Sequence, residues 1–437
     1  MSIHISDKAL QDLEFTTVIQ QVAEFSISEL GKRKVLDTLP FSNKKQLLQE
    51  LNFANEYISS FESDNRIPNH GFDNIYEQIK RLSIEDSYIE PESFLKIAAV
   101  TTSIKELKRY FNKFNSYYPS LFEFSEQITF IQDIIDDIKK IVSNYGEIVD
   151  NASPELRKIR RSIAGLQGKI GQSFTSALNR AKAAGYLDDI KESIIDNHRV
   201  LAVLAMNRKK VSGSLLGSSK SGNIVYIAPQ ATLAYQRELQ NLEYEEKQEV
   251  IRILKTLSSF IRPYAPLIES YLMYLTHLDV IGSKAKYAYS INGILPKIKK
   301  TKRVYFKNAF HPILYVNNKE EKLEIVPQTI ELNDKQQIIV ISGPNAGGKS
   351  ITLKTIGLLQ IMLQSGILIP VDERSETTIF DTILTDIGDN QSIENQLSTY
   401  SYRLKNMRYF LRNCNENTLF LIDEFGTGSD PELGGAL

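Results

Sequence analysis

Through roughly the first 290 positions apolar residues recur at helical spacing. Beyond that point the texture shifts to short apolar runs alternating with helices. Leu10, Leu13, Val18, Val22 and Phe25 follow one helical face, with Gly31 and Pro40 as punctuation after it. Residues Asp64–Asn74, rich in asparagine and carrying Pro68 and Gly71, read as a loop, and Phe94, Ile97 and Val100 resume the helical period. Pro154 opens a long predicted helix. His198–Met206 is β-rich, a Gly/Ser/Lys loop runs through Gly222, and Asn223–Ala228 reads as a second strand closed by Pro229. From Ala231 to Ile261 a helix is unbroken by Gly or Pro. Its stripe of Leu239, Leu242, Val250, Ile253, Leu254, Leu257 and Ile261 lies opposite Glu243, Glu245, Glu246 and Glu249. After Pro263 another helix leads to Asn292. The expected fold class is multidomain α plus α/β: a helical N-terminal core over 1–150, lever helices over 151–291 with a β module inserted at about 186–230, and an α/β domain over 292–437.

Composition narrows this picture without redirecting it. A chain of 437 residues, 42% hydrophobic and 24% charged, supports several ordinary cores. The formal net charge of −1 leaves any nucleic-acid footprint to local patches. Cys414 is the single cysteine, which excludes a disulfide framework and cysteine-based zinc sites and fits a reducing cytoplasm. The N-terminus has no basic-then-apolar signal pattern, and no run is apolar enough over ~18 residues to span a bilayer. The expectation is a cytoplasmic protein with no membrane partner.

The chemistry is concentrated late in the chain. Gly343–Ser350, GPNAGGKS, fits the phosphate-loop pattern, with a predicted buried strand at Ile338–Ile341 before it. After it comes a helix from Ile351 that stops at Gly366. Gly343, Pro344, Asn345, Ala346, Gly347, Gly348, Lys349, Ser350 and Ile351 form the candidate phosphate-binding set. Glycines there let the backbone wrap phosphate oxygens at the positive end of a helix dipole. Lys349 brings a point charge for the β- and γ-phosphates, and the Ser350 hydroxyl can ligate Mg²⁺. Thr418–Ile422 is a second apolar strand, ending in Asp423 and Glu424. Asp423 would hold Mg²⁺ with Ser350, while Glu424 joins Lys349 as a candidate catalytic residue by orienting or deprotonating the attacking water. The implied ligands are a nucleoside triphosphate and Mg²⁺.

Other features allow two readings. Aromatics crowd Phe111–Phe130, either as a stacking platform for bases or as core. Arg208, Lys209, Lys210 and Lys220 at the β module could contact a phosphate backbone or end a solvated hairpin. Arg157, Lys158, Arg160 and Arg161 cluster near the start of a lever helix, and Lys297–Arg303 is a basic run that reads as a solvated edge. Ser398 and Thr399 stand where a helix should begin, as caps or as phosphate ligands.

The segments Ile341–Gly366, Ile383–Met407 and Leu419–Leu437, with AFHP at Ala309–Pro312 and Ser219–Pro229, resemble the MutS family of ABC-type ATPases. The likeness is closest to the MutS II subfamily, which lacks the mismatch-reading domain and is linked to recombination control. It covers nearly the whole chain and is most specific over the last hundred residues. The resemblance implies an ATP-hydrolysing homodimer acting as a clamp on branched or mismatched DNA in repair or recombination control. It implies that Ser398 reaches the γ-phosphate of the partner subunit, and that Ile325 and Val326 line the adenine pocket. The long helices and β module would be the lever and clamp. It also implies that a switch histidine and a nuclease domain belong beyond Leu437, so the chain reads as a C-terminally truncated piece. A ribosome-rescue ATPase of the same architecture, bound to rRNA, and a structural ABC scaffold are the alternatives.

Overall fold

Four of the helices begin where a short polar side chain replaces a missing intrahelical partner. Ser6 accepts from the Ala9 N–H, Ser28 from Gly31, Asn43 from Lys45 and Gln46, and Ser153 from Leu156. The computed structural model describes residues 3–63, 66–196, 198–324, 326–344, 347–387 and 398–423. Strand β1 (His4–Ile5) leads into α1 (Asp7–Asp12), α2 (Phe15–Ala23), α3 (Glu29–Leu36) and α4 (Lys44–Ser59). Next come α5 (Tyr76–Leu82), α6 (Pro91–Lys113), α7 (Pro119–Glu126), α8 (Asp133–Ile141) and α9 (Pro154–Ala183). The β module contains β2 (Leu187–Ile195), β3 (His198–Leu204), β4 (Gly213–Ser218) and β5 (Ile224–Pro229), followed by α10 (Gln230–Ile261). The remainder is α11 (Ala265–Ser290), β6 (Lys297–Ile298), β7 (Val304–Ala309), α12 (Pro312–Glu321), β8 (Gln328–Leu332), α13 (Lys349–Gln364), β9 (Glu376–Thr377), β10 (Thr382–Asp386), α14 (Ser398–Asn413) and β11 (Thr418–Ile422). Two compact units emerge, one from residues 1–74, 99–130 and 267–437, the other from 75–98 and 131–266.

In the second unit α9 and α10 run antiparallel. Ser153 donates from Oγ to Glu249 at 2.6 Å, and Arg160 Nε donates to Glu246 at 2.7 Å. The inserted sheet is antiparallel in the order β2-β3-β5-β4, closed on a core of Phe174, Leu201, Val203, Val225 and Ile227. Two of its strands have no strand pattern in sequence. β2 is mostly charged and polar and shifts register between Leu187 and Glu192, where Lys191 takes a positive φ of 45°. β4 falls in the expected Gly/Ser loop, where Gly213 allows a backbone approach that a Cβ, 2.2 Å from the Ala228 carbonyl oxygen, would block.

The first unit holds two further sheets, β1-β10-β11 (all parallel) and β6-β9-β7-β8. Helix α13 is packed all round, with Leu358, Leu359, Ile361, Met362 and Leu363 all at 0% exposure. Its buried glutamines take their partners from a neighbouring segment. Gln360 bonds Thr377 Oγ1 and the Thr378 carbonyl, and Gln364 bonds both backbone groups of Phe380. Buried amides with full partnership specify one packing rather than a sliding one. Within the 111–130 segment Phe111 and Tyr118 are buried and Phe124 stacks on Tyr274 with centroids 4.7 Å apart, whereas Tyr117 is 74% exposed.

One expectation fails. Ile338–Ile341 lies in no sheet among the described residues, with Ile338 83% and Val340 85% exposed. A strand needs a neighbour with free backbone groups. Among the described residues β11 pairs only with β10, and no backbone ladder reaches 338–341.

At Gly357 a Cβ would lie 2.4 Å from Leu421 Cδ1 and 2.7 Å from both δ-carbons of Leu13, so this glycine lets α13 close on β11 and the N-terminal segment. Gly357→Val should therefore lower stability by about 1–3 kcal/mol through overpacking. The urea midpoint measures this, and an unchanged midpoint would contradict the packing described.

Candidate nucleotide site

Helix α13 starts differently from the capped helices above. Its N-cap is Gly348 at φ +83°, no side chain caps it, and its first turn contains no acid. A left-handed N-cap is available to glycine at little cost. Among the described residues the helix itself offers no compensating side chain at its positive end, which is the electrostatic setting for an anion. Gly343 also has a positive φ, 153°, and Gly347 N–H closes a turn onto the Pro344 carbonyl at 2.9 Å. Across the loop Lys349 Nζ donates to the Gly343 carbonyl at 2.6 Å, and Thr352 ties back to the Gly348 carbonyl through its amide and hydroxyl. Gly343, Pro344, Gly347 and Ser350 are exposed, and Ile351 is 43% exposed, so the mouth of the loop faces solvent. This geometry fits a polyphosphate, with Lys349 already aimed across the loop. Asn345 and Ala346 lie outside the described residues.

The candidate metal strand is fixed by its neighbours. Asp423 follows β11, is half-buried, and donates its backbone N–H to the Asp386 carbonyl at 2.9 Å. The Asp386 carboxylate in turn accepts from Asn406 Nδ2 at 3.0 Å. No group of three or more His, Cys, Asp or Glu side chains suited to a metal occurs among the described residues. One serine, one aspartate and substrate phosphates are a donor set that fits Mg²⁺, which keeps waters and seldom takes an all-protein cage. Glu424 and Ile325 lie outside the described residues. Val326 is 71% exposed between α12 and β8, and Ser398 is the first residue of α14.

Beneath the loop, Lys354 of α13 pairs with Glu14, which holds the left-handed turn between α1 and α2. His311, at the start of α12, feels both. Burial lowers its pKa to about 4, with Glu14 opposing and Lys354 assisting. At the far end of α13, buried Lys284 donates to the Ser365 carbonyl at 2.8 Å. Burial holds its pKa below the usual lysine range, with the charge of Glu50 opposing. For Glu50, burial pushes its own carboxyl upward. The hydrogen bond and charge of His277 and the charge of Lys284 outweigh that and leave it below the ordinary value.

The nucleic-acid candidates split into two groups. Arg208, Lys209 and Lys210 are exposed on one 3₁₀ turn, Ala205–Lys210, that carries the chain from β3 to β4. Lys210 sits over the Tyr186 ring at 5.3 Å. Lys220 is exposed in the separate turn joining β4 to β5. Within the lever cluster Arg160 is tied to Glu246, Asp150 and the Ile148 carbonyl, whereas Arg157 and Arg161 stay exposed. Sequence reasoning passed over Lys8, Asp12 and Thr385, which bond one another beside Asp386. No local pattern marks a contact between residues so far apart in sequence.

Residues 339–437 match the family model for MutS domain V. The chain is 36% identical over 436 residues to the endonuclease MutS2 of Finegoldia magna, and 34% identical over 436 residues to the putative endonuclease MutS2 of Bacillus subtilis. These alignments cover 98% and 99% of this chain but 54% and 55% of the two relatives, so it spans about half the length of the curated relatives it matches. The chain is thus similar over nearly its whole length to proteins that carry the MutS2 name, and residues 339–437 are the part that matches MutS domain V. No helix among the described residues is long and apolar enough to cross a membrane.

Lys349→Ala should raise the dissociation constant for a nucleoside triphosphate roughly 10- to 100-fold, the worth of a charge-assisted hydrogen bond of about 1.5–3 kcal/mol. Equilibrium titration with a fluorescent analogue checks this. Unchanged affinity in a folded variant would remove the phosphate loop from consideration.

Proposed function

We propose that this chain is a MutS-family ATPase that binds and hydrolyses ATP and couples that cycle to holding DNA. The observation that carries the reading is the start of α13: an uncapped, acid-free helix end behind a glycine loop, with Lys349 reaching across it. The match to MutS domain V over the same residues supports it. In this reading Lys349 neutralises β- and γ-phosphate charge, and the backbone N–H groups at the start of α13 hold the phosphate oxygens. Bound Mg²⁺, held by Ser350 and Asp423, would supply further charge stabilisation on the phosphates. Glu424 orients the attacking water, Ile325 and Val326 border the base, and Ser398 serves the γ-phosphate of a partner subunit in a homodimer. Residues 151–291 act as lever and clamp on branched or mismatched duplex DNA, and 292–437 as the ABC-type ATPase domain. The relatives are named endonucleases, and no residue of this chain is assigned to strand cleavage.

The clamp makes the sharper demand on the structure. Replacing Arg208, Lys209, Lys210 and Lys220 together with alanine should weaken binding about equally across DNA sequences, because phosphate contacts position a protein without reading bases. Each lost contact should flatten the slope of log K against log[salt] by roughly one unit, with nucleotide turnover in the absence of DNA retained. Duplex, junction and ribosome are compared at several fixed salt concentrations. Parallel slopes for wild type and variant would exclude these residues as the contact surface, and tight binding to ribosomes alone would overturn the DNA reading.

A further inference from the structure

The first fourteen residues join the sheet and helix that carry the nucleotide site. β1 pairs in parallel with β10, His4 opposite Thr382 and Ile5 opposite Ile383, and the His4 N–H donates to the Asp381 carbonyl at 2.7 Å. After the Ser6 cap, α1 lies along the C-terminal end of β10 and is tied to it by side chains. Lys8 Nζ donates to the Thr385 carbonyl at 3.0 Å and to Asp12 Oδ2 at 2.8 Å, and the Thr385 hydroxyl donates to the same Asp12 oxygen at 2.6 Å. Thr385 is 3% exposed, and the Asp12 side chain 16%. The residue after Thr385 is Asp386, whose carbonyl receives the backbone N–H of Asp423. The same segment also reaches α13, where Leu13 meets Gly357 and Glu14 pairs with Lys354. One short strap therefore touches the strand that positions Asp423 and the helix that begins with Lys349 and Ser350.

We propose that Asp12 is a positioning residue for the metal-binding carboxylate: through Thr385 it fixes the end of β10, and through Asp386 it sets where Asp423 stands relative to Ser350. The proposal rests on the ATP and Mg²⁺ reading given above. The physical argument is one of stiffness. Strand β11 receives its only ladder among the described residues from β10, so a displaced β10 end carries Asp423 with it. On the far side of β10, β1 supplies only two paired residues, a short ladder, so at that end the Lys8–Asp12–Thr385 bonds add the restraint on that side, while Asn406 holds the Asp386 carboxylate. Removing an outer-shell partner of a metal ligand typically costs about 10- to 100-fold in affinity, and Asp12 acts further back still, through Thr385, Asp386 and the Asp423 backbone.

The test compares Asp12→Ala, Asp12→Asn and Thr385→Val with wild type. Mn²⁺ binding is measured by electron paramagnetic resonance with a non-hydrolysable ATP analogue present. Analogue affinity without metal and the unfolding midpoint are measured beside it. Asp12→Ala should weaken Mn²⁺ about 10-fold or more, as loss of an outer-shell partner does, while metal-free analogue affinity stays unchanged. Asp12→Asn, which keeps an acceptor for the Thr385 hydroxyl, should recover part of the loss. Thr385→Val carries the same test if Asp12→Ala does not fold, with a loss in the same direction. Wild-type Mn²⁺ affinity in folded variants, or Mn²⁺ and metal-free analogue affinity falling together, overturns the positioning role. A wild-type protein that binds the analogue but gains no Mn²⁺ site overturns the Mg²⁺ reading itself, and the proposal with it.

Discussion

A helix buried on every side can meet a ligand only at an end, and α13 is such a helix. Its middle is apolar and fully enclosed, each large side chain there contributing on the order of 1.5–3 kcal/mol, and its two glutamines bond the 377–380 segment. The two ends are finished in opposite ways. At the C-terminal end the carbonyls are taken by Lys284 Nζ, by the Phe41 N–H and by the Gly366 turn. Cation and turn both suit the negative end of the helix dipole. At the N-terminal end nothing negative is offered by the helix itself. The fold thus fixes the helix firmly in its hydrophobic surroundings and leaves its positive end for an anion.

The surroundings of α13 come from distant parts of the chain. Lys284 belongs to α11, Phe41 and Glu50 to the segment around α4, and Leu13 and Glu14 to the turn between α1 and α2. The N-terminus even supplies an edge strand to the parallel sheet that ends at Asp386 and Asp423. Any rearrangement at the phosphate end of α13 is therefore felt by helices that precede it by hundreds of positions. Within this unit a displacement of α13 would move its packed neighbours with it, since packed elements move as bodies rather than deform continuously.

Much of this architecture was legible because it is written locally. The glycine loop and the α13 pattern, the TLFLI strand, and the long helices from Pro154 and Ala231 all follow from short-range spacing, and each is found within a few residues of its expected limits. What escaped is non-local. β1 is a strand only because β10 lies beside it, and β2, full of Asp, Glu and Lys, is one because β3 offers an edge. The converse error occurred at Ile338–Ile341, where β-branched composition met no neighbour among the described residues and the side chains are left in solvent. The basic residues show the same limit. Arg160 sat in a promising cluster, yet the fold spends it on Glu246 and Asp150, a partnership no helical periodicity reveals.

In the function proposed above, the open end of α13 receives the phosphates while the rest of the helix stays fixed. Amide hydrogen exchange with and without a Mg²⁺-bound, non-hydrolysable ATP analogue tests it most directly. Exchange at Gly347–Thr352 and at the C-terminal ends of β10 and β11 should slow on binding. The buried Leu358–Gln364 turn should be equally protected in both states, because its bonds are already closed from solvent. Bound analogue with unchanged exchange at Gly347–Thr352 would contradict the account.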